Sequence, residues 1–164
     1  MMIIKTLDKL LAGTLIIAMT SILLTVIWQV ISRYILQDPA SVTEELSRFF
    51  LMWIGILGAA YAYRQHAHLG FNLLVERQSP VVKRVLLTLV EVFVITFCAL
   101  VMVYGGTELV MLTLELDQIS AALGIKMGLI YLVLPLSGGL IVIYSIVNIF
   151  TLWHSPEKEF NEWN

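Results

Sequence analysis

Four long runs almost free of charge constrain this 164-residue chain more than any other feature. They fall at about 10–31, 46–63, 85–106 and 127–153. A helix rises about 1.5 Å per residue, so each run is near or above the length that crosses a hydrocarbon core of about 30 Å. The composition agrees. The chain is 59% hydrophobic with a mean hydropathy of +0.90, and only 13% of its residues are charged, about half the share in soluble domains. The fold class that follows is an all-α integral membrane protein, a single domain over 1–164 with four transmembrane helices. Ten scattered basic residues and a net charge of -2 give no footprint for nucleic acid. One cysteine, Cys98, makes no internal disulfide and no metal cluster.

The first run follows Lys5 and Lys9 and has the look of a signal peptide. It is longer than a typical signal core and ends without a small-residue cleavage site, so it reads as a retained span. The third run follows Ser79-Pro80, a cap and first helical position, and its apolar character lets the helix continue to about Leu114. Such a helix must tilt or protrude. Gly124 is placed to stop whatever precedes the fourth run. Pro135 lies within that run and removes a helical hydrogen bond, which predicts a bend between Tyr131 and Pro135. Between the second and third runs, Phe71, Leu74 and Val75 have helical spacing. They fit either a short helix lying among lipid headgroups or a segment packed beneath the bundle.

The second run opens on a charged collar. Ser41 and Glu44 have the spacing of a capping box, and Glu44 and Glu45 complement the positive end of the helix dipole. Arg48 follows them by four and three residues, close enough for all three charges to share a face. With the N-terminus inside, the cytoplasmic segments hold seven basic residues and the outer segments three, Arg33, Arg48 and Lys126. This bias places both termini in the cytoplasm and the collar outside. Trp28, Tyr34, Tyr104 and Trp153 are expected near the membrane interfaces, and the segment from Glu108 to Lys126 is expected as an outer loop.

Motifs for nucleotide or metal chemistry are missing from the sequence: no phosphate loop, no G-x-S-x-G, no H-E-x-x-H. His66 and His68 are spaced to face apart on a helix, and no carboxylate or cysteine nearby completes a metal site. No cofactor is expected. Glu91 is the ionisable group placed deepest in a run, with Asn148 at similar depth and Arg84 seven residues before it as candidate partners. It reads either as a proton or ion site or as a polar tie between helices. Gly55 with Ala59, and the pair Gly138-Gly139, offer small faces for close helix contact, within the bundle or against a partner. A haem-binding anchor of a respiratory oxidoreductase is a rival class, and would need axial ligands on facing helices. A small proton-coupled exporter built on Glu91 is another.

The order of features carries a resemblance. Arg33-Tyr34 ends the first run, and Thr43-Glu44-Glu45-Leu46-Ser47-Arg48-Phe49 opens the second, with Trp53 and Gly58-Ala59-Ala60 after it. His68, Leu74-Val75-Glu76 and Ser79-Pro80 follow. Ser120 to Gly128 then leads into Tyr131 and Pro135. From about Lys9 to Phe150 the chain resembles the small membrane subunit, DctQ type, of tripartite ATP-independent periplasmic (TRAP) transporters. One departure is Lys126, where such proteins often carry proline.

The resemblance implies a non-catalytic scaffold in a bacterial inner membrane, paired with a separate large multi-span subunit that carries the sodium and substrate sites. An extracytoplasmic solute-binding protein would deliver an organic acid, of the sialic acid or C4-dicarboxylate type, to that pair. Glu44, Glu45, Arg48 and Lys126 would then form an outer face, in contact with the binding protein or the large subunit, or paired within the chain.

Overall fold

A computed structural model describes residues 2–38, 40–65 and 80–154. The described residues are helical throughout, apart from short connections. Helix α1 (Met2–Ile31) continues into a π-helical turn, Ser32–Leu36. That turn closes on Gln37, whose positive φ of 56° lets its N–H return to the Ser32 carbonyl. Helix α2 (Ser41–Arg64) follows. Its N-cap is Ala40 and no side-chain cap forms, so the expected capping box is not made. Ser41 already lies inside the helix, Thr43 donates to the Ala40 carbonyl at 2.8 Å, and Glu44 turns to Arg48 instead.

Helix α3 (Pro80–Phe97) begins on the proline, where a missing N–H costs nothing. It runs through a π-helical stretch, Cys98–Gly105, into α4 (Gly106–Glu115). The whole rod, Val81–Glu115, is 35 residues, or about 52 Å. The longer reading of the third span therefore holds. Residues 108–115, expected in an outer loop, are helix.

A compact turn joins this rod to the last span. Asp117 reverses the chain at φ 48°, Gly124 at φ 66°, and Ile119 and Lys126 form an isolated antiparallel bridge. No helix occupies 116–126. The segment around Phe71, Leu74 and Val75 lies outside the described residues, as do His66 and His68.

The fourth span breaks where its proline requires. Helix α5 (Met127–Tyr131) stops, Leu132 intervenes, and α6 (Val133–His154) continues. Pro135 has no N–H to return to the Tyr131 carbonyl, so the ladder opens there. One residue earlier, the Ile130 carbonyl takes a 3.0 Å bond from the Trp53 indole of α2.

The helices lie in a row. Helix α1 packs along α2, α2 along α6, and α6 along α3 and its π-helical continuation. Helix α6 supplies the interior of the row: Val133, Ser137, Gly138, Ile141, Tyr144, Ser145 and Asn148 are buried at spacings of one, three and four. Helix α1 buries little beyond Leu11 and leaves Ile16, Ile17, Leu23 and Leu24 open. In water that surface would aggregate. Four candidate spans of 24 to 35 residues place it in lipid or against another apolar chain.

Candidate functional site

Most polar side chains that reach into the row bind one another or a backbone, at three depths, while the buried Tyr144 hydroxyl makes no hydrogen bond among the described residues. At the collar end, Glu45 projects from the first turns of α2 onto the turn before α5. Its Oε2 accepts from Ser120 Oγ at 2.9 Å and from the backbone N–H groups of Ala122 and Leu123 at 2.8 and 3.0 Å. Ser120 Oγ also accepts from Leu123 N–H at 3.2 Å. Three donors converging on one carboxylate oxygen clamp that turn to α2.

The other collar charges behave differently. Glu44 pairs with Arg48 at 2.5 Å, and both are well exposed. Lys126 pairs with Asp117 at 3.0 Å, also exposed. Arg48 therefore takes Glu44 as its partner, while Glu45 serves the turn.

Midway along the row, Ser137 Oγ donates to the Ile56 carbonyl at 2.8 Å, tying α6 to α2. Gly138 is pressed against the neighbouring span: a Cβ there would lie 2.6 Å from Met102 Cβ. Gly106 is less tight, with a Cβ there 3.1 Å from Leu134 Cβ and Pro135 Cδ. Gly55 and Gly139 meet nothing within 4 Å, and Ala59 is exposed. So of the four small residues singled out in the sequence, Gly138 closes the intrachain contact. Gly55 and Ala59 face away from the row.

At the far end two clusters sit on adjacent residues. Glu91 of α3 accepts from the Tyr63 hydroxyl through Oε2 and from Asn148 Nδ2 at 3.1 Å through Oε1. The Tyr63 hydroxyl also contacts Ser145 Oγ at 2.6 Å. Because Tyr63 donates to the carboxylate, Ser145 is the donor in that second contact. Beside this chain, Arg64 Nε lies 3.4 Å from Asp8 Oδ2, and its guanidinium stands 5.8 Å from the Tyr144 ring centroid. All four spans meet here: α1 through Asp8, α2 through Tyr63 and Arg64, α3 through Glu91, α6 through Tyr144, Ser145 and Asn148.

The sequence singled out Glu91 and Asn148 but not Tyr63, Ser145 or the Asp8–Arg64 pair. Two signals pointed to them: Tyr63 precedes the first charge after a run, and Asp8 is the acid nearest the matching end of α1. Of the three histidines only His154 is described. Its ring stacks on Phe150 and its Nδ1 contacts the Phe150 carbonyl at 3.0 Å, at the end of α6. No group of three or more metal-ligating side chains occurs among the described residues.

These features define a four-span membrane protein braced internally by polar ties. Residues 22–155 match the family described as tripartite ATP-independent periplasmic transporters, DctQ component, and the chain belongs to that family, the small permease subunits of TRAP transporters. It is 28% identical over 126 residues to a putative TRAP transporter small permease protein of Haemophilus influenzae, covering 77% of this chain and 75% of that one. An isethionate TRAP transporter permease protein of Oleidesulfovibrio alaskensis is 28% identical over 135 residues, 79% of this chain but 21% of its own length. A sialic acid TRAP transporter small permease protein of Vibrio cholerae is 25% identical over 87 residues, 53% of this chain and half of that one.

Family membership, and not the lack of any group, sets aside the haem-anchor and stand-alone exporter readings. Fusions such as the isethionate permease, in which this region is a small part of a longer protein, point to a large TRAP subunit as partner.

Proposed function

We propose that this chain is the non-catalytic scaffold of a sodium-driven, binding-protein-dependent importer of an organic acid. The observation that carries the reading is how its deep polar groups are used. Glu91, Tyr63, Ser145 and Asn148 are engaged with one another across three helices, which is the arrangement of a brace. A carrier site instead exposes polar groups on broken helices near the midplane. The break at Leu132, within the fourth span, has a neighbouring carbonyl occupied by Trp53.

The large subunit would carry the sodium and substrate sites, and an extracytoplasmic binding protein would deliver the solute. Relatives named for sialic acid and isethionate support an organic anion as cargo. The basic-residue bias supports an orientation with both termini in the cytoplasm and the Glu45-clamped turn facing outward, and family membership supports a bacterial inner membrane. In that orientation Glu44, Arg48, Lys126 and the turn form a firm outer surface beside the partner. Gentle detergent purification of the tagged chain from its native membrane tests the reading. A stoichiometric, very apolar multi-span protein is expected with it. A flavin or iron–sulfur subunit, or the chain alone, would overturn the proposal.

A further inference from the structure

The two clusters at the far end differ in how fully their polar atoms are used. Around Glu91 each carboxylate oxygen takes a donor, and the Tyr63 hydroxyl links the acid to Ser145. The cluster beside it is left open. Asp8 Oδ1, Arg64 Nε and the Tyr144 hydroxyl are buried atoms that make no hydrogen bond among the described residues. Arg64 Nε stands 3.4 Å from Asp8 Oδ2, within ion-pair range but without hydrogen-bond geometry. The Arg64 guanidinium lies 5.8 Å from the centre of the Tyr144 ring, and Asp8 and Arg64 are the charged groups that act on the Tyr144 hydroxyl. Tyr144 itself is 0% exposed. An acceptor, a donor and a hydroxyl able to act as either therefore face one another without a direct bond.

Buried polar atoms of a native fold are normally paired, because an unpaired one has given up its bonds to water for nothing. The place is one that water can reach. Asp8 lies just before the uncharged run that begins at Leu10, and Arg64 is the first charge after the second run. Their side chains are 23% and 26% exposed, so the rim of the cluster is wet. Its inner wall is apolar: Leu11, Ala60, Ile141 and Tyr144 belong to one buried core.

Charge narrows the choice of ligand. A cation at Asp8 would meet the like charge of Arg64, and an anion at Arg64 would meet Asp8. The ligand must donate to a carboxylate and accept from a guanidinium, so it is neutral and small. Water does both, and a buried water makes about three hydrogen bonds, as many as these atoms offer.

We propose that one ordered water is bound among Asp8, Arg64 and Tyr144. It donates to Asp8 Oδ1 and accepts from Arg64 Nε and from the Tyr144 hydroxyl. Helix α1 gains most from it. That helix packs along α2 and buries little beyond Leu11, and the water ties its N-terminal end to α6 as well. The inference stands on this chain's own residues and does not rest on the scaffold reading.

The test is a structure of the full chain in lipid nanodiscs, with whatever co-purifies, at a resolution that shows ordered waters. A separate peak is expected about 2.7–3.2 Å from both Asp8 Oδ1 and the Tyr144 hydroxyl, unchanged when choline replaces sodium. Tyr144→Phe removes one of its partners and should lower the melting temperature by about 2–4 °C. A direct bond between the Tyr144 hydroxyl and Asp8, with no peak between them, would overturn the proposal. So would a side chain from residues 66–79 in that place, or a peak lost with sodium, which is a bound cation. A melting temperature unchanged or raised in Tyr144→Phe would also overturn it, since an unpaired hydroxyl is lost without penalty. None of these outcomes bears on the scaffold reading, which is decided by the partner that co-purifies.

Discussion

The Glu45 carboxylate accepts the backbone N–H of Ala122 at 2.8 Å, 77 residues along the chain, through the same oxygen that takes Leu123 N–H and Ser120 Oγ. A single side chain thus fixes the turn between the last two spans to the start of the second. Glu45→Ala leaves two backbone donors and a hydroxyl without their acceptor. The expected result is a lower melting temperature in detergent. Glu44→Ala, which removes an exposed i,i+4 pair, should cost under about 0.5 kcal/mol. Equal losses in the two variants would contradict the clamp.

Gly138 has no room for a side chain. Its Cβ would stand 2.6 Å from Met102 Cβ, so even Gly138→Ala forces the two spans apart. We expect about 1–3 kcal/mol of destabilisation and a larger loss for Gly138→Leu. Gly139→Ala, beside it but open, should melt close to the unaltered protein. Thermal melts of the three variants in one detergent decide the point.

The Glu91 cluster is read as a brace. Tyr63→Phe removes one donor to the carboxylate, and intramembrane hydrogen bonds of this kind are worth about 0.5–2 kcal/mol. Glu91→Gln keeps acceptor and donor capacity and should assemble normally with solute uptake intact. Uptake abolished in Glu91→Gln, with normal assembly, would make Glu91 an ion site instead.

Trp53 reaches from α2 to the carbonyl of Ile130, just before the break in the fourth span. Trp53→Phe keeps most of the ring and loses the N–H. It should cost about 1 kcal/mol and loosen that end of the fourth span, measured as faster amide exchange at Tyr131 and Leu132.

Much of the architecture was legible because lipid simplifies the problem. Apolar runs of the right length become helices, and Pro135 marked its break from sequence alone. What the sequence hid was lateral and longitudinal register. Ser41 and Glu44 have capping-box spacing, but a box needs the serine one residue outside the helix, and α2 starts on it. Glu45 and Arg48 have pairing spacing, yet Glu45 is drawn to a hydroxyl and two backbone donors 75 to 78 residues away. Gly55 and Gly138 look alike as small residues. Which one is covered depends on which helices are neighbours. Glu108 looked like loop because a charge ordinarily ends a span, yet the helix runs on past it to Glu115.

The central claim is that this chain braces a transporter and does not carry solute. Its most direct test is uptake into vesicles under an inward sodium gradient, with sialic acid, a C4-dicarboxylate and isethionate as labelled probes. Vesicles holding this chain alone should accumulate none of them. Those holding it with its co-purifying large subunit and binding protein should accumulate one, and lose uptake when the gradient is removed. Accumulation by this chain alone would contradict the account.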